Sequence, residues 1–189
     1  MKIMVIGVGR LGSQVAFSSL LRLNPEKLIL SDIKDLSGDI LDLQHACKGL
    51  NIKTEVTTKK EPCDFIIITA GTARNQNIKT HEELFKLNTP TIKEIVSNLD
   101  SCLKKDTKII VMTNPVEKIT DFVKELLPNH YVDNPEEILM KIRDNKEIGW
   151  KIVSTKGYSN FGPAVSAVLL IEKLLNTSKK SNPHQTKSL

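Results

Sequence analysis

Three glycines and one acid carry the first chemical signal. Gly7-Val8-Gly9-Arg10-Leu11-Gly12 matches the pattern G-x-G-x-x-G. It follows an apolar, β-rich run and opens a helical stretch, and Asp32 ends the next apolar run twenty positions beyond Gly12. In that setting each residue type has a task. Gly7 permits a tight turn, Gly9 lets a pyrophosphate approach the backbone, and Gly12 lets the helix pack on the strand. The first turn of that helix offers unpaired N–H groups and a positive dipole end to phosphates. Asp32 would accept hydrogen bonds from adenosine ribose hydroxyls and repel a 2′-phosphate, which points to NAD rather than NADP. The alternative is a glycine turn that binds nothing, and the full strand–turn–helix–acid setting argues against it.

Two further segments lie where open α/β sheets bind ligands. Thr69-Ala70-Gly71 and Thr113-Asn114-Pro115 each end an apolar run at the carboxyl end of a predicted strand. Taken singly, each also reads as ordinary turn chemistry. Cys47, Cys63 and Cys102 are far apart and form no C-x-x-C pair, so the expectation is buried small hydrophobes and no metal site. An odd cysteine count and no signal-like N-terminus fit a reducing, cytoplasmic setting. The chain has 189 residues and a net charge of +5, of which three charges belong to Lys179, Lys180 and Lys187 near the end. With aromatics at only 4%, a nucleic-acid surface is not expected, and no apolar run is long enough for a membrane span.

These residues need a scaffold, and the periodicity describes one. Apolar strand-like runs at 2–6, 27–30, 52–57, 64–69 and 107–112 alternate with amphipathic stretches at 13–23, 36–47, 91–103 and 115–127. Alternating β and α with buried strands predicts a doubly wound parallel sheet of Rossmann type. His81 is placed at the start of a helical segment with Glu82 and Glu83 as first-turn charge. Pro90 is read as a fresh helix start with Thr89 as N-cap. The organisation expected is an α/β dinucleotide-binding domain over 1–127, a strandless junction over 128–135 and a C-terminal helix pair over 136–176. A solvated, disordered tail follows over 177–189. The pair is read as 136–156 and 161–176. The second of these is apolar almost all round, so a surface beyond the sheet is expected to cover it.

The segments GVGRLGSQVA, LSDI, LDLQHA, DFIIITAGTAR, LFKLN, VMTNPVEKIT and KIVSTKGYSNFGPAVSAVLLIE occur in the order seen in the lactate/malate dehydrogenase family. The resemblance covers nearly everything from residue 1 to 176. It implies a NAD-dependent oxidoreductase acting on small 2-hydroxy or 2-oxo acids. The cofactor residues it implies are Gly7, Gly9, Arg10, Leu11, Gly12 and Asp32, then Thr69, Ala70 and Gly71, then Asn88, Met112 and Asn114. Substrate contacts would come from Arg74, Asn114 and Ser159. Arg74 resembles the arginine that malate-type members aim at a distal carboxylate, which favours malate and oxaloacetate over lactate and pyruvate. The resemblance also implies a homodimer, because the helix holding LDLQHA packs on this helix pair of a neighbouring subunit in that family. The family's G-E-H-G and L-D-x-x-R segments, which hold the proton relay and the bidentate arginine, do not occur here. No catalytic residue is therefore assigned. His45, His81, His130 and His184 read as satisfied or solvated histidines, and the alternative to an enzyme is an inactive NAD-binding module.

Overall fold

The computed structural model describes residues 1–72, 78, 80–143 and 146–180. Six strands form one sheet: β1 (Lys2–Ile6), β2 (Lys27–Ser31), β3 (Glu55–Thr57), β4 (Phe65–Ile68), β5 (Lys108–Val111) and β6 (Tyr131–Asp133). Their order is β3-β2-β1-β4-β5-β6, and every pairing is parallel. The chain winds outward from β1 to β3, then returns to start again at β4 on the other side of β1. The carboxyl ends of β1 and β4 therefore flank a topological switch point, where such sheets open a crevice.

Strand side chains alternate between two covered faces, which explains the continuous apolar runs. Ile3, Val5, Leu28, Leu30 and Ile67 pack under α1 (Arg10–Leu23), α2 (Ser37–Gly49) and α7 (Phe161–Lys180). Met4, Ile6, Ile29, Ile66 and Ile68 pack under α3 (His81–Ser97) and α4 (Val116–Leu126). The three cysteines are buried, as the sequence led us to expect. Burial first, and then the neighbouring Cys102 thiol, pushes the Cys63 thiol up to about 12, which leaves it inert as a nucleophile. At the amino edge of the sheet, the Lys2 N–H and the Lys104 ammonium each donate to Asp64 at 2.6 Å. Burial works to raise that carboxyl, and the bonds from Lys104 and Lys2 outweigh it, holding it below the usual carboxylate range.

Three expectations are corrected. First, one helix spans His81–Ser97 with Pro90 inside it, and Thr80, not Thr89, is the N-cap. The Thr80 side chain accepts from the Glu83 N–H while Glu83 returns to the Thr80 N–H, a reciprocal cap that starts the helix ten residues early. Leu84, Asn88, Ile92 and Val96 then form one buried stripe at four-residue spacing, and packing of that stripe outweighs the proline's missing donor. Residues 100–103 are not part of the helix; a short 3-10 turn covers Asp100–Cys102.

Second, the 128–135 stretch contains a strand. β6 extends the sheet by pairing with β5, with Val132 buried. Its three residues are too few for periodicity to reveal. Third, 136–156 is two helices, α5 (Glu136–Arg143) and α6 (Lys146–Lys156), and α7 runs on to Lys180, so the first four residues of the stretch read as a disordered tail continue the helix that buries against the core. The final helix does not wait for an outside surface to cover most of it. Ala164, Ala167, Leu170 and Ile171 of α7 are buried in the main core, and Ile138 of α5 packs on the same cluster. α7 packs along α1, and Arg22 locks it through a bidentate pair to Glu172 at 3.0–3.1 Å. Phe161 and Val165 on α7 stay exposed, as do Trp150 and Val153 on α6.

Candidate functional site

The glycine loop is built by contacts no other residue type permits. Gly7 sits at φ +92°, and a Cβ there would lie 2.4 Å from the Ala70 nitrogen. A Cβ on Gly12 would lie 1.8 Å from the Gly7 carbonyl oxygen. Gly9 differs, because a Cβ there meets nothing within 4 Å. Two glycines thus serve protein packing, and the third faces open space in front of α1. That is the pattern expected where a phosphate group must come close to backbone. The Thr69 hydroxyl donates to the Gly7 carbonyl at 2.5 Å, and the Gly7 N–H donates to Ser31 at 2.8 Å. The turn is therefore pinned to both neighbouring strands.

Asp32 stands beside the glycine loop. One of its oxygens accepts from the Val8 N–H at 2.5 Å and the other from the Lys34 N–H at 3.2 Å. The carboxylate is thereby tied to the glycine loop and keeps further lone pairs for hydroxyl donors. Ile33, directly after it, is fully solvent-exposed. The sequence reading missed this residue; the available signal is an isoleucine beside Asp32 that has no place in the core pattern.

At the other side of the switch point, Ala70 and Thr113 join the ends of β4 and β5, since the Thr113 hydroxyl donates to the Ala70 carbonyl at 2.7 Å. Gly71 packs so tightly that a Cβ would sit 2.5 Å from the Thr113 methyl carbon. Met112 is buried and bonded to β4 through its N–H. Asn114 follows at the exposed edge, with a cis peptide bond to Pro115. Asn88 is fully buried. Its carboxamide oxygen accepts from the Thr72 N–H at 2.7 Å, and its nitrogen donates to the Asn114 carbonyl at 2.7 Å and the Thr72 carbonyl at 3.4 Å. The side chain is spent on holding two loops together. Arg74 lies outside the described residues.

Arg10 and Leu11 open α1, immediately beyond Gly9. Arg10 meets the α6–α7 connection: its guanidinium carbon lies 4.5 Å from the centroid of the Tyr158 ring. Ser159, next in that connection, accepts from Arg143 at 3.5 Å. The fold thus brings Gly7, Gly9, Gly12, Asp32, Thr69–Gly71, Met112 and Asn114 to one edge of the sheet, and the loop holding Ser159 reaches that edge through Arg10. Two surface hollows lie elsewhere, along α3. One of about 510 Å³ is lined by Phe85, Thr89 and Lys93, and one of about 390 Å³ by Ile78, Lys86 and Leu87. They hold none of these groups. The described histidines are dispersed. His45 lies on α2, His130 precedes β6 at the amino edge of the sheet, and His81 opens α3.

Residues 1–134 match the family model described as lactate/malate dehydrogenase, NAD binding domain. A malate dehydrogenase of Archaeoglobus fulgidus is 33% identical over 127 residues, which is 64% of this chain and 42% of that protein. An L-lactate dehydrogenase of Fervidobacterium nodosum is 35% identical over 128 residues, 65% of this chain and 41% of that protein. Each match thus spans less than half of the relative's length. The solved structure of the Archaeoglobus fulgidus malate dehydrogenase in complex with NADH superimposes with a TM-score of 0.79 at 22% identity, over 93% of this chain and 78% of that one, and shares the fold. The glycine loop, the acid after β2 and the parallel sheet carry the same conclusion from the inside: the chain belongs to the lactate/malate dehydrogenase family, and NAD is the cofactor of the domain that it holds.

Proposed function

We propose that this chain holds NAD(H) for hydride exchange with a small 2-hydroxy or 2-oxo acid, malate and oxaloacetate ahead of lactate and pyruvate. The observation that carries the cofactor half is the contrast among the glycines: Gly7 and Gly12 are packed against backbone, while Gly9 stands open in front of a helix N-terminus. The glycine loop would hold the pyrophosphate, Asp32 the adenosine ribose, and Ile33 would cover one side of the adenine. The negative charge of Asp32 disfavours a 2′-phosphate, so NADH should bind more tightly than NADPH. Arg74 supports a dicarboxylate through its place after TAGTA in the sequence.

NAD supplies the hydride acceptor, and the chain must do the rest. Asn114 stands where it can donate a hydrogen bond to a substrate oxygen, with its backbone carbonyl held by Asn88. An amide cannot take the hydroxyl proton, and a positioned general base is worth roughly 10²–10⁴-fold. A second reading, a NAD-holding module without appreciable turnover, draws on the histidines: among the described residues none forms an ion pair with a carboxylate. The test is fluorescence titration with NADH and NADPH, followed by NADH oxidation with oxaloacetate and with pyruvate. The expectation is NADH binding with clear preference over NADPH, and slow turnover favouring oxaloacetate. Turnover near the ordinary enzyme median of about 10 s⁻¹ would overturn the second reading, and equal NADPH affinity would overturn the role of Asp32.

The exposed Trp150, Val153, Phe161 and Val165 on α6 and α7, with Leu41 on α2, support a homodimer built on these helices. Sedimentation at micromolar concentration should give twice the chain mass; a monomer would sink this part of the reading. A cytoplasmic location is the setting in which three free buried thiols are at home. Among the described residues no helix is long and apolar enough to cross a membrane.

A further inference from the structure

The connection between α6 and α7 carries a cluster of aromatic rings and cations at the mouth of the glycine loop. Arg10 lies over the Tyr158 ring, its guanidinium carbon 4.5 Å from the centroid. The Lys156 ammonium lies 4.6 Å from the same centroid and 4.0 Å from that of Phe161. Asn160, buried beneath them, accepts from Lys156 at 2.7 Å and donates to the Arg10 carbonyl at 3.4 Å. Two cations are thus gathered around one ring. Among the described residues neither forms an ion pair with a carboxylate.

Both cations are exposed, so water screens their repulsion, and neither charge is cancelled by a carboxylate among the described residues. The manner of holding is informative. An aromatic face takes a cation through its ring quadrupole and uses none of its N–H donors. A carboxylate partner would consume those donors bidentately and cancel the charge. Arg10 directly follows Gly9, whose surroundings are open. A guanidinium held by a ring at this place keeps both its charge and its N–H edge for a phosphate.

We propose that Tyr158 is a positioning residue of the dinucleotide site: it holds Arg10 toward the cofactor pyrophosphate, with Lys156 on the same ring and Asn160 tying Lys156 to the Arg10 backbone. The inference rests on the NAD-binding reading of the glycine loop. It gives the α6–α7 connection a role in cofactor binding, although it lies outside the 1–134 segment that matches the NAD-binding model.

The experiment is a double-substitution cycle on the full chain, read by titration with ADP and with NADH at two salt concentrations. Arg10→Gln and Tyr158→Ala should each weaken ADP and NADH by about fivefold, the size expected of one cation–π placement. The double variant should be no weaker than either single one, since both remove the same interaction. Both single variants should also flatten the salt dependence. Tyr158→Phe keeps the ring and should restore most of the affinity. Additive losses in the double variant, unchanged ADP affinity in Tyr158→Ala, or failure of Tyr158→Phe to restore it would each overturn the assignment while leaving NAD binding intact. Arg10→Gln alters an exposed side chain and guards against simple unfolding of Tyr158→Ala: unchanged ADP affinity in this variant also overturns the proposal. If the unaltered chain binds neither ADP nor NADH, the NAD reading falls, and this inference falls with it.

Discussion

Gly12→Ala should cost the protein both stability and cofactor binding, whereas Gly9→Asp should cost binding alone. The new Cβ at position 12 would stand 1.8 Å from the Gly7 carbonyl oxygen and 2.6 Å from the Thr69 hydroxyl oxygen. The first of these is backbone, locked to its neighbours by the Thr69 and Ser31 bonds, so α1 must lift away from β1. Overpacking of this kind costs about 3 kcal/mol, or roughly 6–12 °C of melting temperature for a chain of this size. At position 9 nothing is displaced. An aspartate there even suits the positive end of α1, so the melting temperature should hold. Its charge, however, would face the phosphates, and about 2 kcal/mol of repulsion corresponds to roughly 30-fold weaker NADH binding. Circular-dichroism melts and NADH titration check both. An unmoved melting temperature in Gly12→Ala, or full NADH affinity in Gly9→Asp, contradicts the division of labour between the glycines.

Asn88→Ala is the second large effect. The substitution removes three hydrogen bonds from a fully buried side chain and frees the Thr72 loop from the Asn114 peptide. Thr72 and Asn114 are themselves exposed enough for water to replace part of what is lost. The stability cost should therefore be about 2 kcal/mol, the scale of one unsatisfied buried group. The functional cost should be selective. The glycine loop and Asp32 do not touch Asn88, so ADP affinity should be unchanged. The loops at the ends of β4 and β5 lose their clamp, and NADH should bind about tenfold more weakly, a difference of about 1.4 kcal/mol. Asn88→Asp keeps an acceptor for Thr72 but sets a carboxylate against the Asn114 carbonyl, and should fare no better. Equal losses for ADP and NADH would show that Asn88 supports the fold as a whole and not the loops at the ends of β4 and β5 alone.

The glycine loop and the acid after β2 were legible in the sequence because they are local. Gly7, Gly9, Gly12 and Asp32 fall within one strand–helix–strand unit, and steric rules for glycine and charge rules for phosphate act at that range. The alternation of apolar runs likewise announced the parallel sheet, since burial on two faces demands near-continuous apolar strands. Short elements escaped: β6 has three residues, and a period of two cannot show itself in so few. Pro90 misled, since a missing donor is a local penalty that the buried stripe of α3 outweighs.

What the sequence by itself determined is the family, the sheet and the dinucleotide fingerprint, each written in spacings of a few residues. Only the tertiary structure decided which side chains from distant segments meet. Arg22 finds Glu172, and the Arg10 carbonyl finds Asn160, each across 150 positions. Asn88 reaches the Asn114 carbonyl across 26. No periodicity encodes such pairs. They follow from the completed sheet, which sets α7 beside α1 on one face and α3 against the loop after β5 on the other, so they exist only once the core has packed.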